Sequence, residues 1–133
     1  LSSHHSGVEA LRRRAQSFLA EARAALNSGR YDIACFLAEQ AAQLHLKATL
    51  LQAVGDYPRT HHIRTLLGEL LKSRPSERLE RFARSNRAGL SSLEDAYIMA
   101  RYSTKEFYRE DAEEGVKLAE ELVTLLEEVA GDG

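Results

Sequence analysis

At 133 residues, with 44% hydrophobic and 29% charged residues and a formal charge of −2, the chain suits one domain with a sizeable core. A single cysteine excludes an intrachain disulfide and a zinc knuckle. No apolar run approaches the ~18 residues of a membrane span, and with no secretory signal in view a reducing cytoplasm is the expected compartment.

Few prolines and many Ala, Leu, Glu and Arg residues favour helix, because these side chains lose little rotamer freedom there. Residues 1–6, opening "LSSHH", are expected to be disordered or extraneous to a single domain over 7–130, and His4 and His5 receive no function. The first helix is expected over about 7–28, started by a Ser6/Glu9 capping box and stopped at Gly29. The second runs from about Tyr31 to Val54, with Ile33, Leu37, Ala41, Leu44, Ala48 and Leu51 as its inner stripe and Gly55 at its end.

Thr60 is expected to cap a short helix over about 61–72, with Ile63, Leu66, Leu67 and Leu70 turned inward. A fourth pattern, 76–100, opens at Ser76 and carries Asn86 and Gly89, so a kink or break is expected between about 86 and 91. The last helix is expected over about 106–130, with Val116, Ala119, Leu122, Val123 and Leu126 on one side and acidic residues on the other. No alternation at period two appears. The expected fold is all-α: an antiparallel up-and-down four-helix bundle with an additional short helix.

Charge is placed unevenly, since residues 1–109 carry +6 and residues 110–133 carry −8. That argues against a general DNA-binding surface. The basic run Lys72, Arg74, Arg78, Arg81, Arg84 and Arg87 reads either as a solvated face of i,i+3 and i,i+4 pairs or as a phosphate contact. Cys35 reads as a small buried thiol. No H-E-x-x-H or Glu-x-x-His pair occurs, so no metal site is expected, and neither a phosphate-binding glycine loop nor a nucleotidyltransferase motif is present.

The stretch "YDIACFLAEQAAQLHLKATLLQAVGDYPRTHHIRTLL" resembles the signature of HEPN domains, matching at Tyr31, Asp32, Gln40, Lys47, Gly55, Pro58, Thr60 and His61. "AYIMARYST" resembles the second block of that family, at Tyr97, Arg101 and Tyr102, and the likeness spans about residues 8–128. It implies a helical bundle like the C-terminal domain of kanamycin nucleotidyltransferase, commonly a homodimer. Prokaryotic members often act with a separately encoded minimal nucleotidyltransferase, as two-component or toxin–antitoxin pairs.

Many HEPN proteins are ribonucleases built on R-x(4–6)-H, in which Arg steadies the phosphate and His moves the proton. That motif is missing here. The positions where its Arg would fall are Val54 to Tyr57 for His61 and His62, and Ala38 to Gln40 for His45. Five residues after Arg101 stands Glu106, whose carboxylate repels a phosphodiester. Tyr108 keeps the offset from Arg101 at which relatives carry a tyrosine modified with AMP.

The resemblance therefore implies a non-catalytic nucleotide- or substrate-binding subunit, with Lys47, His61, Arg101 and Tyr102 as ligand-binding residues and no catalytic residue. No cofactor is called for; ATP or another nucleotide is the expected ligand. Arg59 and Arg64 stand ready to add phosphate contacts, and RNA is the less favoured partner. A ribonuclease toxin with a degenerate site and a plain dimerisation module are the alternatives.

Overall fold

The second helix has apolar or small residues on every side, and that decides the architecture. The computed structural model describes residues 2–132, with side chains over 5–130. Its elements are α1 (Ser2–Asn27), α2 (Tyr31–Val54), α3 (Ile63–Ser73), α4 (Glu77–Ser85), α5 (Arg87–Tyr102) and α6 (Arg109–Asp132), with no strand among the described residues. Helix α2 packs against α1, α3, α5 and α6 at once. Its alanines 34, 38, 41, 42 and 48 are fully buried and let neighbouring backbones come close, while Leu46 and Leu50 fill the centre.

The inner stripe expected for α2 holds at Ala41 and Ala48 and is misplaced elsewhere. Ile33 is 41% exposed and Leu37, Leu44 and Leu51 are only half-buried, whereas Ala34, Cys35, Ala38 and Leu46 lie inside. A single-stripe reading assumes a helix with one wet side, and α2 is enclosed from several directions.

Both ends of α2 follow their glycines. Gly29 adopts φ 80° and Gly55 φ 85°, conformations that other residues rarely take, and the N–H of Gly55 closes the helix on the Leu51 carbonyl at 3.0 Å. The Ser6 capping box does not form, because α1 runs on to Ser2 and takes in residues expected to lie outside the domain. His4 has its side chain outside the described residues.

Ser76 caps α4 by accepting the Leu79 N–H at 3.2 Å. Asn86 makes the expected break, its side-chain amide donating to the Phe82 carbonyl at 2.9 Å. The bundle thus has two short helices, α3 and α4, where one was expected. Gly89 does not break α5: a Cβ there would come within 3.0 Å of a Leu118 methyl, so the glycine lets α5 close on α6. Helix α6 starts later than expected, at Arg109, and Asp111 in its first turn accepts the N–H of Tyr108 at 2.8 Å.

The acidic α6 is met by basic residues from its neighbours. Arg23 of α1 pairs with Glu120, and Arg78 of α4 pairs with Glu128. These pairs are about half exposed, so each contributes at most about 1 kcal/mol.

His45 on α2 is fully buried, and neither ring nitrogen has a hydrogen-bond partner among the described residues. Its Nε2 stands 3.9 Å from Glu127 of α6. Burial, reinforced by the Arg12 guanidinium, pulls its pKa down to about 4. Unfolding raises the pKa back toward 6.5, so the unfolded chain binds more protons across this window and stability falls as pH drops through it. In urea titrations, wild type should lose about 3 kcal/mol more than H45L between pH 7 and pH 4. Equal losses in the two proteins would show that His45 does not titrate this way.

Candidate functional site

Three segments converge on one cluster of cationic, aromatic and histidine side chains. Helix α2 contributes Phe36, Gln40, Gln43 and Lys47 at helical spacing, with Glu39 beside them. Helix α5 contributes Glu94, Tyr97 and Arg101 at i, i+3 and i+7, hence on one face. The α2–α3 loop crosses between them and carries Tyr57, Arg59, His61 and His62.

Glu94 positions the loop. Though it stands next to the exposed Asp95, it is 5% exposed and bound on several sides. It accepts the Arg64 backbone N–H at 2.7 Å, the Arg64 Nε at 2.8 Å and Nη2 at 3.3 Å, and His62 Nδ1 lies 3.5 Å away. Burial acts to raise its pKa, but the Arg64 side chain and N–H outweigh this and hold the carboxyl below its ordinary value. The contact also supplies a cap for α3 from another helix, because the Arg64 N–H is among the orphan donors of its first turn.

Thr60 was expected in that capping role and does not fill it. Helix α3 starts at Ile63, and the Thr60 hydroxyl instead accepts the His62 N–H at 3.1 Å, turning the loop just ahead of the helix. Arg64, expected as a phosphate contact, is committed to Glu94.

Held this way, the His61 ring lies on Tyr97, with centroids 4.2 Å apart and planes at 11°, and His62 tilts against His61 at 4.2 Å. The Arg101 guanidinium carbon sits 4.5 Å from the Tyr97 ring centre, 4.7 Å from Tyr102 and 5.2 Å from Phe36. Its Nε donates to the Tyr97 carbonyl at 2.7 Å. Lys47 and Arg59 both approach the Tyr57 ring, at 5.4 and 4.9 Å. Cations backed by aromatic faces suit a planar or anionic ligand.

Next to this cluster on α2 is Glu39, with no exposed surface. Gln40 Nε2 donates to its Oε1 at 2.7 Å and Gln43 Nε2 to its Oε2 at 2.8 Å, while Lys47 Nζ donates to Gln43 Oε1 at 2.8 Å. Burial raises the Glu39 pKa to about 7, against the lowering pull of the two amides, Lys47 and Arg101. Burial also lowers the Lys47 and His61 pKa values, and neighbouring cations add to that: Arg59 for Lys47, and His62, Lys47 and Arg101 for His61.

Of the residues predicted for the ligand, Lys47, His61 and Arg101 stand within electrostatic reach of one another. Tyr102 joins through Arg101 and is 72% exposed. Tyr108 stands apart from this cluster in its contacts: its hydroxyl donates to Glu106 at 3.2 Å. Sequence reasoning missed Glu39 and Glu94. A lone carboxylate inside the apolar run "IACFLAEQAA" was the available signal for Glu39.

Among the described residues no His, Cys, Asp and Glu group is placed to hold a metal ion. Cys35 is buried, and burial, with Asp111 nearby, pushes its thiol up to about 11, which makes it a poor nucleophile. In the basic run, Arg78 and Arg84 are taken up by Glu128 and Glu80. No helix among the described residues is long and apolar enough to cross a membrane.

Replacing Glu94 by Ala removes the cap of α3 and the partner of Arg64 together. A loss of about 2 kcal/mol is expected in urea unfolding, and the upfield ring-current shifts of His61 in NMR spectra should collapse. Stability within about 0.5 kcal/mol of wild type, with those shifts intact, would rule out Glu94 as the anchor.

Comparison with known proteins agrees with this architecture. The family model described as HEPN domain matches residues 8–129. The crystal structure of TT1696 from Thermus thermophilus superposes with a TM-score of 0.78 and 27% identity, over 92% of this chain and 97% of that one. ST0689, titled an archaeal HEPN homologue, superposes with a TM-score of 0.68 and 26% identity, over 90% and 94% of the two chains. No curated protein matches the sequence. With the family model spanning nearly the whole chain and an HEPN homologue sharing its fold, the chain belongs to the HEPN domain family.

Proposed function

We propose that this HEPN domain is a non-catalytic subunit that binds a nucleotide, or a substrate to be nucleotidylated, for a separately encoded minimal nucleotidyltransferase. The observation that carries this reading is the convergence of Lys47, His61 and Arg101 around Tyr97 over a buried carboxylate. Guanidinium and ammonium groups recognise phosphate, and aromatic faces accept a base. Acid–base cleavage of RNA lacks its histidine, since residue 106 is a glutamate whose carboxylate accepts the Tyr108 hydroxyl.

A homodimer suits the same surface. Ile33 and Ile98 are both exposed, and each lies one helical turn from a residue of the Phe36–Arg101 contact. Tyr108 is the candidate acceptor for the partner enzyme. Its oxygen would bond to the α-phosphorus of ATP as pyrophosphate leaves, with Glu106 taking the phenolic proton.

Thermal unfolding with and without millimolar ATP, on wild type and Arg101→Ala, tests the binding reading. ATP at ~100 times its Kd stabilises by about 2.7 kcal/mol, a rise of about 5–10 °C for a domain of this size. The rise should appear in wild type and vanish in the variant. Absence of a rise in wild type refutes nucleotide binding, and RNA cleavage that disappears in Arg101→Ala refutes the non-catalytic reading.

A further inference from the structure

We infer that Glu39 is the built-in counterion of this cationic cluster, and that an anionic ligand displaces its charge, so that binding is accompanied by proton uptake from solvent onto the Glu39 carboxylate. The inference rests on the nucleotide-binding reading above and names the charge class and regulation of that same site. Without a ligand, the charged groups that act on Glu39 are Lys47 on its own helix and Arg101 on α5. His61 and Arg59, from the α2–α3 loop, act one step away: Arg59 on Lys47, while His61 feels both Lys47 and Arg101. The cations of this cluster are therefore already drawn, directly or through one neighbour, toward a carboxylate with no exposure to water.

Two like charges cannot share these cations in a low-dielectric site without a large cost. A phosphate that engages Lys47 and Arg101 removes the attraction that keeps Glu39 ionised and adds repulsion. Neutralising Glu39 relieves both.

The hydrogen-bond chain says how the change reaches the ligand. While Glu39 is ionised, both its oxygens accept amide N–H groups, and Gln43 turns its oxygen to Lys47. A protonated Glu39 carries an O–H that needs an acceptor. Rotating the Gln43 amide by half a turn supplies one and presents an N–H to the Lys47 ammonium, a donor facing a donor. Lys47 then leaves Gln43 and becomes available to the anion. The raised pKa of Glu39 puts this exchange near neutral pH, where it is sensitive to small changes in charge.

The test uses isothermal titration calorimetry of the full chain with inorganic tripolyphosphate and, separately, ATP. Measurements run in buffers of different ionisation enthalpy, at pH 6, 7 and 8, on wild type and E39Q. Both probes bind protons themselves, so the difference between the two proteins isolates Glu39. At pH 7 wild type should take up about half a proton more than E39Q per ligand bound, and its affinity should fall up to roughly tenfold more between pH 6 and pH 8. Equal proton counts and parallel pH profiles would overturn the inference while leaving nucleotide binding intact. No binding of either probe at any pH would overturn both.

Carboxyl-carbon NMR on wild type gives a reading that does not depend on the variant folding. The Glu39 titration should move to higher pH when tripolyphosphate is added. An unmoved titration in the presence of bound probe would refute the inference.

Discussion

The contact of Glu94 with the start of α3 is the constraint on which the cationic cluster depends. A carboxylate on α5 accepts the backbone N–H and the guanidinium of Arg64 and approaches His62, so one buried side chain ties two helices and a loop together. A loop between two helices has no ladder of backbone bonds to fix it, and its geometry must come from caps and side chains. Glu94 supplies both here. Once residues 62 and 64 are held, His61 has little choice but the face of Tyr97, three residues along the same α5 face. Arg101, a further turn on, brings the guanidinium to the other end of that row.

The contact also settles what the first turn of α3 can do. Its exposed backbone donors and the positive end of its dipole would suit a phosphate. A carboxylate is already seated there, and the nearest arginine is bound to it. Anion recognition is thereby displaced toward Lys47, Arg59 and Arg101, whose charges lie over aromatic rings.

Much of the fold was legible because its punctuation is local. Gly29 and Gly55 bound α2 at residues that a reader of the sequence can name, and Ser76 and Asn86 mark the limits of α4 for the same reason. The failures came where local patterns are ambiguous. Ser6 and Glu9 match a capping box whether or not the helix continues upstream, and Gly89 looks like a breaker until Leu118 is seen against it. In the cluster, Lys47, His61 and Arg101 could be picked out from the order of motif residues. Glu94 could not, because Glu94 and Asp95 are adjacent carboxylates that differ only in what the tertiary fold places over them.

Glu39 is the same problem seen from the side of energetics. A carboxylate whose folded pKa is raised from 4.5 to about 7 is destabilising wherever it is ionised, by about 3 kcal/mol well above neutral pH. His45, six residues further along α2, errs the other way: kept neutral by burial, it costs stability in acid. Over the range where both titrate, the proton bound by one in the folded state is offset by the proton refused by the other, so the bundle keeps two buried ionisable groups with little net dependence on pH. Their surroundings separate their roles. The His45 ring nitrogens have no hydrogen-bond partner among the described residues, and the ring faces the α1–α6 side, where an apolar residue of the same volume would serve the packing. Glu39 is bound at both oxygens by amides and connected through one of them to a lysine of the cluster. An apolar residue in its place would relieve the cost of the buried charge and leave Gln40 and Gln43 without their acceptor and Lys47 without a held partner. Retaining the carboxylate makes sense where its charge is used, and the charged groups that act on it among the described residues are Lys47 and Arg101.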